Sequence, residues 1–308
     1  MRFAVSISSL HHIDFLQRIG HEIRESGGVH WFNCGSRVFS SLPYDRDVDA
    51  RSIDLREILR SDGLVARFGC PIDQGVPSFR IICDSKDYDF PLLRSRTRTQ
   101  VRRGLEVCRV ERIEFQQLQK LAMTLNADTL LRQGRKVPSD LQSYWTRYYQ
   151  QAAITTGAEA WAAFVGSDLA AYLISFLIDD VANLLIVRSS SQHLESYPNN
   201  ALLFEFLSAR LKDSDVRMVS YGYESIQSDL GSLDQFKLGM GFRKDPVGQR
   251  IEFAPWLSPM FNRFTDAVAR RILKSLGRGE LVAKLQGMMN WYRDQPTLQS
   301  SPDSRRAA

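Results

Sequence analysis

Four cysteines in 308 residues are few, and Cys34, Cys70, Cys83 and Cys108 are widely spaced, with no Cys-x-x-Cys pair and no histidine at ligand spacing. That scarcity argues against a structural zinc site and for four reduced, mostly buried thiols; no metal is expected. The chain also lacks a long apolar run. Its most apolar stretch, 160–187, is interrupted by Asp168, Asp179 and Asp180, so no segment is expected to span a membrane. The opening MRFAVSISSLHHIDFL has one Arg and no sustained apolar core, unlike a secretory leader, and a cytoplasmic location is expected. His11 and His12 have no evident partner and read as surface residues. Nor is there a glycine-rich phosphate loop. The glycines of LDQFKLGMGF, Gly239 and Gly241, follow a helical stretch, whereas a phosphate loop needs glycine before one; they read as a helix stop and a turn into Phe242-Arg243.

What is present is enough apolar material, 44% of residues, to bury a substantial core, with 24% charged residues to keep the surface wet. The formal charge of +5 is unevenly spread: Arg94, Arg96, Arg98, Arg102, Arg103, Arg109 and Arg112 crowd one stretch, and Arg270, Arg271, Lys274 and Arg278 another. Such clusters suit phosphate-bearing ligands, nucleic acid or anionic lipid without separating them.

Hydrophobic period divides the chain into an N-terminal α/β region over 1–90, a larger unit over 91–255, helices over 256–292 and a polar, disordered tail over 293–308. In the first region FAVSIS (3–8), VHWFN, LVARFG and FRIICD read as strands, and IDFLQRIGHEIRES (13–26) and LREILR as helices. In the second, PLLRSRTRTQVRRGL reads as a basic helical opening, CRVERI as a strand, and Glu114 to Leu131 and LQSYWTRYYQQAAI as helices. Three strands form an antiparallel meander: AEAWAAFVG, LAAYLISFLI and VANLLIVRS. Then come a helix from Pro198, the strand RMVSYGYES, the short helix LGSLDQFKLGMG and a closing hairpin FRKDPVGQRIEFAP. The fold class is α/β (α+β). The aromatics of SYWTRYYQQ fit a helix packed on the sheet better than base stacking.

The order β-α-α-β-β-β-α-β-α-β from residue 108 resembles the N-acyltransferase fold of the GNAT superfamily. RTRTQVRRGLEVCRVERI, YPNNALLFEFL and SLDQFKLGMGF look like the basic entry segment, post-meander helix and closing F-K-x-x-x-G-F of its FemAB-like branch, over about residues 88–255. That branch includes peptidoglycan aminoacyltransferases and acyltransferases encoded with polysaccharide synthesis. The resemblance implies a GNAT-like, mixed, mostly antiparallel sheet flanked by helices, with a degenerate GNAT half at the N-terminus. It implies transfer of an acyl or aminoacyl group from acyl-CoA or aminoacyl-tRNA to an amine, such as an amino-sugar of a nucleotide- or lipid-linked surface-polysaccharide precursor. No tightly bound cofactor is expected, and nucleic acid enters only with a tRNA donor. One departure stands out: where acetyl-CoA-binding members carry a glycine loop for the pyrophosphate, this chain has RSSSQHLESYPNNALL, without glycine.

Amine attack on a carbonyl needs a held nucleophile, an oxyanion donor and a proton route. In this fold VANLLIVRS is expected to splay from RMVSYGYES and open a slot. Tyr223, Glu224 and Lys237 are the candidate catalytic residues: a tyrosine can protonate a leaving group, a glutamate can act as base, and a lysine can neutralise developing charge. Strict alternation puts Tyr221 and Tyr223 on one face and Glu224 on the other. Arg188, Ser189, Ser190, Asn199, Asn200 and Phe236 are expected at the donor, and Arg98, Arg102 and Arg103 at a phosphate-bearing acceptor. Two other readings compete: a catalytically silent GNAT-fold module that recognises an anionic partner, and an RNA-binding protein.

Overall fold

The computed structural model describes residues 6–35, 37–60, 62–224, 231–257 and 280–298. Its strands are β1 (Ile23–Ser26), β2 (Val29–Asn33), β3 (Val38–Leu42), β4 (Val65–Cys70), β5 (Val76–Cys83), β6 (Cys108–Ile113), β7 (Ala158–Val165), β8 (Asp168–Ile178), β9 (Val181–Ser189), β10 (Met218–Tyr223) and β11 (Arg243–Phe253). The helices are α1 (Ile7–Arg18), α2 (Leu55–Leu59), α3 (Ser95–Val107), α4 (Phe115–Leu121), α5 (Met123–Arg132), α6 (Leu141–Ala153), α7 (Pro198–Arg210), α8 (Gly231–Gly239) and α9 (Glu280–Asp294). From β6 to β11 the order is the expected one, except that the first of its two expected helices is divided into α4 and α5.

All eleven strands join one sheet in the order β1-β2-β3-β4-β11-β5-β10-β9-β8-β7-β6. β11 pairs with β5 through Arg243–Gln249 and with β4 through Gly248–Phe253, so a strand of the second region is inserted between two strands of the first. Every pairing is antiparallel except two, β3 with β4 and β9 with β10.

Because side chains alternate across a strand, a strand covered on both faces must be largely apolar, and β8 is apolar from Leu169 to Ile178 but for Ser175, whose hydroxyl donates to Glu159 at 3.0 Å. Tyr172, Ile174, Phe176 and Ile178 point to one face, where Phe15 and Leu16 of α1, Leu118 of α4 and Trp145, Tyr148 and Tyr149 of α6 meet them. Ala171 and Leu173 point to the other, where Val101 of α3 and Ala201, Leu202, Phe206 and Leu207 of α7 close the second core. Fully buried side chains such as Phe206 and Leu207 each contribute about 1.5–3 kcal/mol.

Several expectations need correction. The strand expected over 3–8 gives way, in its described part, to α1, because the Ser6 hydroxyl accepts from the Ser9 amide at 3.1 Å and caps a helix there. The helix expected to run to 26 stops at Arg18, and Ile23 begins β1. The helix expected over 114–131 is interrupted at Ala122, leaving Leu118 and Leu125 buried and Leu121 exposed. The closing hairpin is one long strand, β11, whose Gly248 lies against Pro71 and Cys70 as the strand changes partners. His12 is not a surface residue: it is 2% exposed, hydrogen-bonded to Tyr44 at 2.9 Å, and burial pulls its pKa down to about 3. Residues 295–298 of the expected disordered tail are packed, with the Gln295 amide donating to the Ile251 carbonyl at 2.9 Å and Leu298 against the Trp31 core. Arg270, Arg271, Lys274 and Arg278 lie outside the described residues, as do 299–308.

Candidate functional site

The β9–β10 seam positions the site. Only Val181, Ala182 and Asn183 of β9 pair with Met218, Val219 and Ser220 of β10; beyond them β9 continues to Ser189 without β10 beside it. A parallel pair that separates this way leaves backbone donors and acceptors unpaired along its inner edges, the slot the element order led one to expect.

A β-bulge decides what faces the slot. The pairing of β10 with β5 shifts between Ser220 and Tyr223, and Gly222 takes φ +91°, a backbone state that favours glycine. The inserted residue breaks the alternation, so Tyr221 and Tyr223 do not share a face. Tyr221 turns to the α7 face and packs edge-on against Phe242 at 5.7 Å. Tyr223 pairs with Arg80 on the α6 face and reaches across to β4, its hydroxyl buried over Gly69 with no hydrogen-bond partner. Glu224 stays near it: its carboxylate accepts from the Ser78 hydroxyl at 2.8 Å and its carbonyl from Arg67 at 3.1 Å. Of the three candidate catalytic residues, only Lys237 lies at the slot.

Lys237 reaches the slot from α8. The helix ends in a Schellman turn, with Phe242 N–H donating to the Lys237 carbonyl at 3.3 Å and Gly241 N–H to the Leu238 carbonyl at 3.4 Å; Gly241 supplies the left-handed residue at φ +89°. The two glycines are thus the helix stop the sequence indicates. The Lys237 ammonium lies 4.4 Å over the Tyr221 ring and 3.8 Å from Asp234, with a side chain 8% exposed. Burial lowers its pKa below the ordinary lysine value against the opposing pull of Asp234. Burial raises the Tyr221 phenol to about 12, with Arg188 pulling the other way. Tyr221 and Arg188 lie on opposite faces of the sheet and sense one another across the slot.

The donor-binding candidates divide. Arg188 pairs with Tyr172 and stands on the α6 face, its guanidinium carbon 5.8 Å over Trp145. Ser189 is buried, its hydroxyl accepting from Asn199 at 3.0 Å and Arg132 at 3.2 Å. Asn200 is buried beside Met240, and Phe236 packs into the α7-face core. Ser190 caps the 3-10 turn Ser191–Ser196 through the Gln192 amide.

That turn lies in the glycine-free segment RSSSQHLESYPNNALL, and several of its donors are taken. Asp128 takes the Ser191 amide at 2.6 Å and the Ser191 hydroxyl at 2.9 Å, and the amides of Ser190, His193 and Tyr197 bond carbonyls nearby. α3 flanks the first turn of α7 so closely that a Cβ on Gly104 would stand 2.8 Å from the Tyr197 carbonyl and 3.1 Å from Ala201 Cβ. A carboxylate at the turn places negative charge where an anion would meet the Ser191 amide.

α3 itself is cationic. Arg102 and Arg103 are exposed, Arg98 is half-buried with one nitrogen donating to the Leu93 carbonyl at 3.1 Å, and none has a carboxylate within ion-pair distance among the described residues. A separate cleft of about 660 Å³ opens between α1 and the 43–52 loop, lined by Asp45, Asp47, Asp49, Arg46 and Arg80. Its charges largely satisfy one another, Arg80 reaching Asp245 at 2.9 Å and Arg46 reaching Asp179 at 2.8 Å.

No protein-family profile and no curated protein matches the sequence. Solved structures do. FemX is similar at TM-score 0.56 and 11% identity, with 82% of this chain aligned to 92% of it. L-PGS from Bacillus licheniformis is similar at TM-score 0.53 and 12% identity, covering 86% and 92%. A C-terminal domain described as that of a lysylphosphatidylglycerol synthetase from Agrobacterium fabrum gives 0.53 and 11%, covering 80% and 88%. The chain therefore shares the fold of FemX and L-PGS over most of its length, and at these identities the likeness is one of fold alone.

Proposed function

We propose that the chain is an N-acyltransferase that moves an acyl or aminoacyl group from an ester or thioester to an amine within the β9–β10 slot. The observation that carries this reading is Lys237, a buried lysine with lowered pKa placed against a phenol at an opening in the sheet. Such a lysine is neutral at lower pH than an exposed one and can accept a proton. The acceptor nitrogen attacks the carbonyl carbon and a C–N bond forms. The nitrogen proton passes to Lys237, the C–O or C–S bond breaks, and the leaving oxygen or sulfur takes a proton from the Tyr221 phenol, which Lys237 restores. Unpaired backbone of the slot is available to the oxyanion.

The occupied turn at Ser191 disfavours a CoA donor held in the usual way and favours one whose phosphates lie on Arg98, Arg102 and Arg103 of α3. An aminoacyl-tRNA fits that description, and the name of one structural neighbour states an aminoacylated lipid, lysylphosphatidylglycerol. A role in surface polysaccharide stays with this reading as the sequence suggested it, as does a cytoplasmic site of action. The test is transfer to a panel of amines from acetyl-CoA and, separately, from a mixture of aminoacyl-tRNAs. Transfer from the tRNA esters, weakening steeply with salt, is the expected result. No transfer and no retained donor would turn the reading to the silent module.

A further inference from the structure

Arg188 is a half-buried cation without a counter-ion. One of its terminal nitrogens donates to the adjacent Val187 carbonyl at 3.1 Å, its Nε is buried with no partner, and no carboxylate lies within ion-pair distance among the described residues. A guanidinium withdrawn from water in this way is costly unless something anionic meets it.

Its surroundings are built for a small planar anion. The guanidinium lies over Trp145, and the phenols of Tyr144, Tyr148, Tyr149, Tyr172 and Tyr221 all feel its charge. Tyr149 and Tyr172 are committed to each other and to Asn126 in a closed triangle. Tyr148 is not. Its side chain is 4% exposed, yet its hydroxyl makes no hydrogen bond among the described residues. Its ring lies 5.1 Å from that of Trp145, the residue under Arg188, and burial keeps its hydroxyl protonated, so it is a donor available to an anion there. One planar monocation beside a neutral donor matches a carboxylate, which accepts two parallel N–H bonds from arginine.

The position assigns the anion to one substrate. Lys237 and the α3 arginines serve the α7 face, where the donor is placed above; Arg188 and Tyr148 stand on the α6 face, at the other mouth of the same slot. We propose that Arg188 and Tyr148 hold a carboxylate of the amine acceptor, which makes the acceptor an amino acid or short peptide. This rests on the transferase reading of the slot.

Calorimetric titration of the full chain, without donor, tests it with three probes: L-alanyl-L-alanine, its C-terminal amide, and phosphoethanolamine. The free acid is expected to bind about tenfold to a hundredfold more tightly than the amide, the range of a charge-assisted hydrogen-bonded pair. Arg188→Gln should abolish that preference, Arg188→Lys should keep part of it, and Tyr148→Phe should weaken acid binding alone, with circular dichroism confirming each fold. Equal binding of acid and amide, no binding of the acid, or a preference for phosphoethanolamine would overturn the proposal. Transfer activity separates the two levels: a chain that transfers but ignores the carboxylate refutes this site alone, whereas acid preference without transfer from any ester or thioester refutes the transferase reading.

Discussion

The two parallel seams of the sheet began as the same device and ended differently. At each, three residues pair before the strands part: Val38–Ser40 with Val65–Arg67 in the first half, Val181–Asn183 with Met218–Ser220 in the second. Each is bridged by a helix, but α2 has 5 residues and α7 has 13. Asp54 caps α2 through the Arg56 amide at 2.7 Å, whereas no side chain caps α7. In the first half the opening is filled: Val48 N–H bonds the Gly69 carbonyl at 2.8 Å, Tyr223 lies over Gly69, and Arg67 holds the Gln249 amide at 2.7 Å. In the second it stays open, with Lys237 and Tyr221 at one mouth and Arg188 at the other. A seam that is plugged supports structure; a seam left open offers chemistry.

Substitutions can break or sharpen that contrast. The largest expected effect is Lys237→Met, which should lower turnover about 100-fold or more. Stability should not fall with it. The folded pKa of Lys237 lies below the unfolded value, so the unfolded chain binds more protons between the two. The wild-type chain should therefore gain stability as pH rises through that window, and denaturant titrations at several pH values should show the gain lost in the variant.

Next comes the tyrosine pair. Tyr221→Phe should slow turnover about tenfold, since water can replace part of the proton donation, while Tyr223→Phe should leave turnover unchanged. The Tyr223 hydroxyl is buried without a partner, so its removal should change stability by no more than about 0.5 kcal/mol, or raise it. Equal kinetic effects at both positions would contradict the bulge. In the plugged seam, Arg67→Met should leave kinetics alone and cost about 2 kcal/mol by unpairing the Gln249 amide and the Glu224 carbonyl, read as a lowered melting temperature. The last effect appears only in acid. His12 has a folded pKa of about 3 against 6.5, so stability should fall as pH drops from 6.5 towards 3, and His12→Phe should flatten that slope.

Much of the fold was legible because the relevant signals are local. The meander announced itself by apolar runs at Ala158, Asp168 and Val181, α7 by Pro198, and the end of α8 by Gly239 and Gly241. The hidden parts depend on partners far apart in the chain. Nothing in FRKDPVGQRIEF says that one strand serves two neighbours, and His12 looked exposed because Tyr44 and Phe176, which enclose it, are remote in sequence. Tyr221 and Tyr223 were expected on one face because strict alternation has no place for a bulge, although the glycine between them was a signal that one was available.

By itself, the sequence determined the meander, α7, β10 and the end of α8, the missing glycine loop, and the residue types at the slot, since period, turn chemistry and composition are written along the chain. Tertiary structure alone decided which tyrosine meets Lys237, that Asp128 binds the Ser191 turn, and that Arg188 has no counter-ion among the described residues. Those outcomes are set by register and by packing between distant segments, and electrostatic isolation is a property of everything that surrounds a charge.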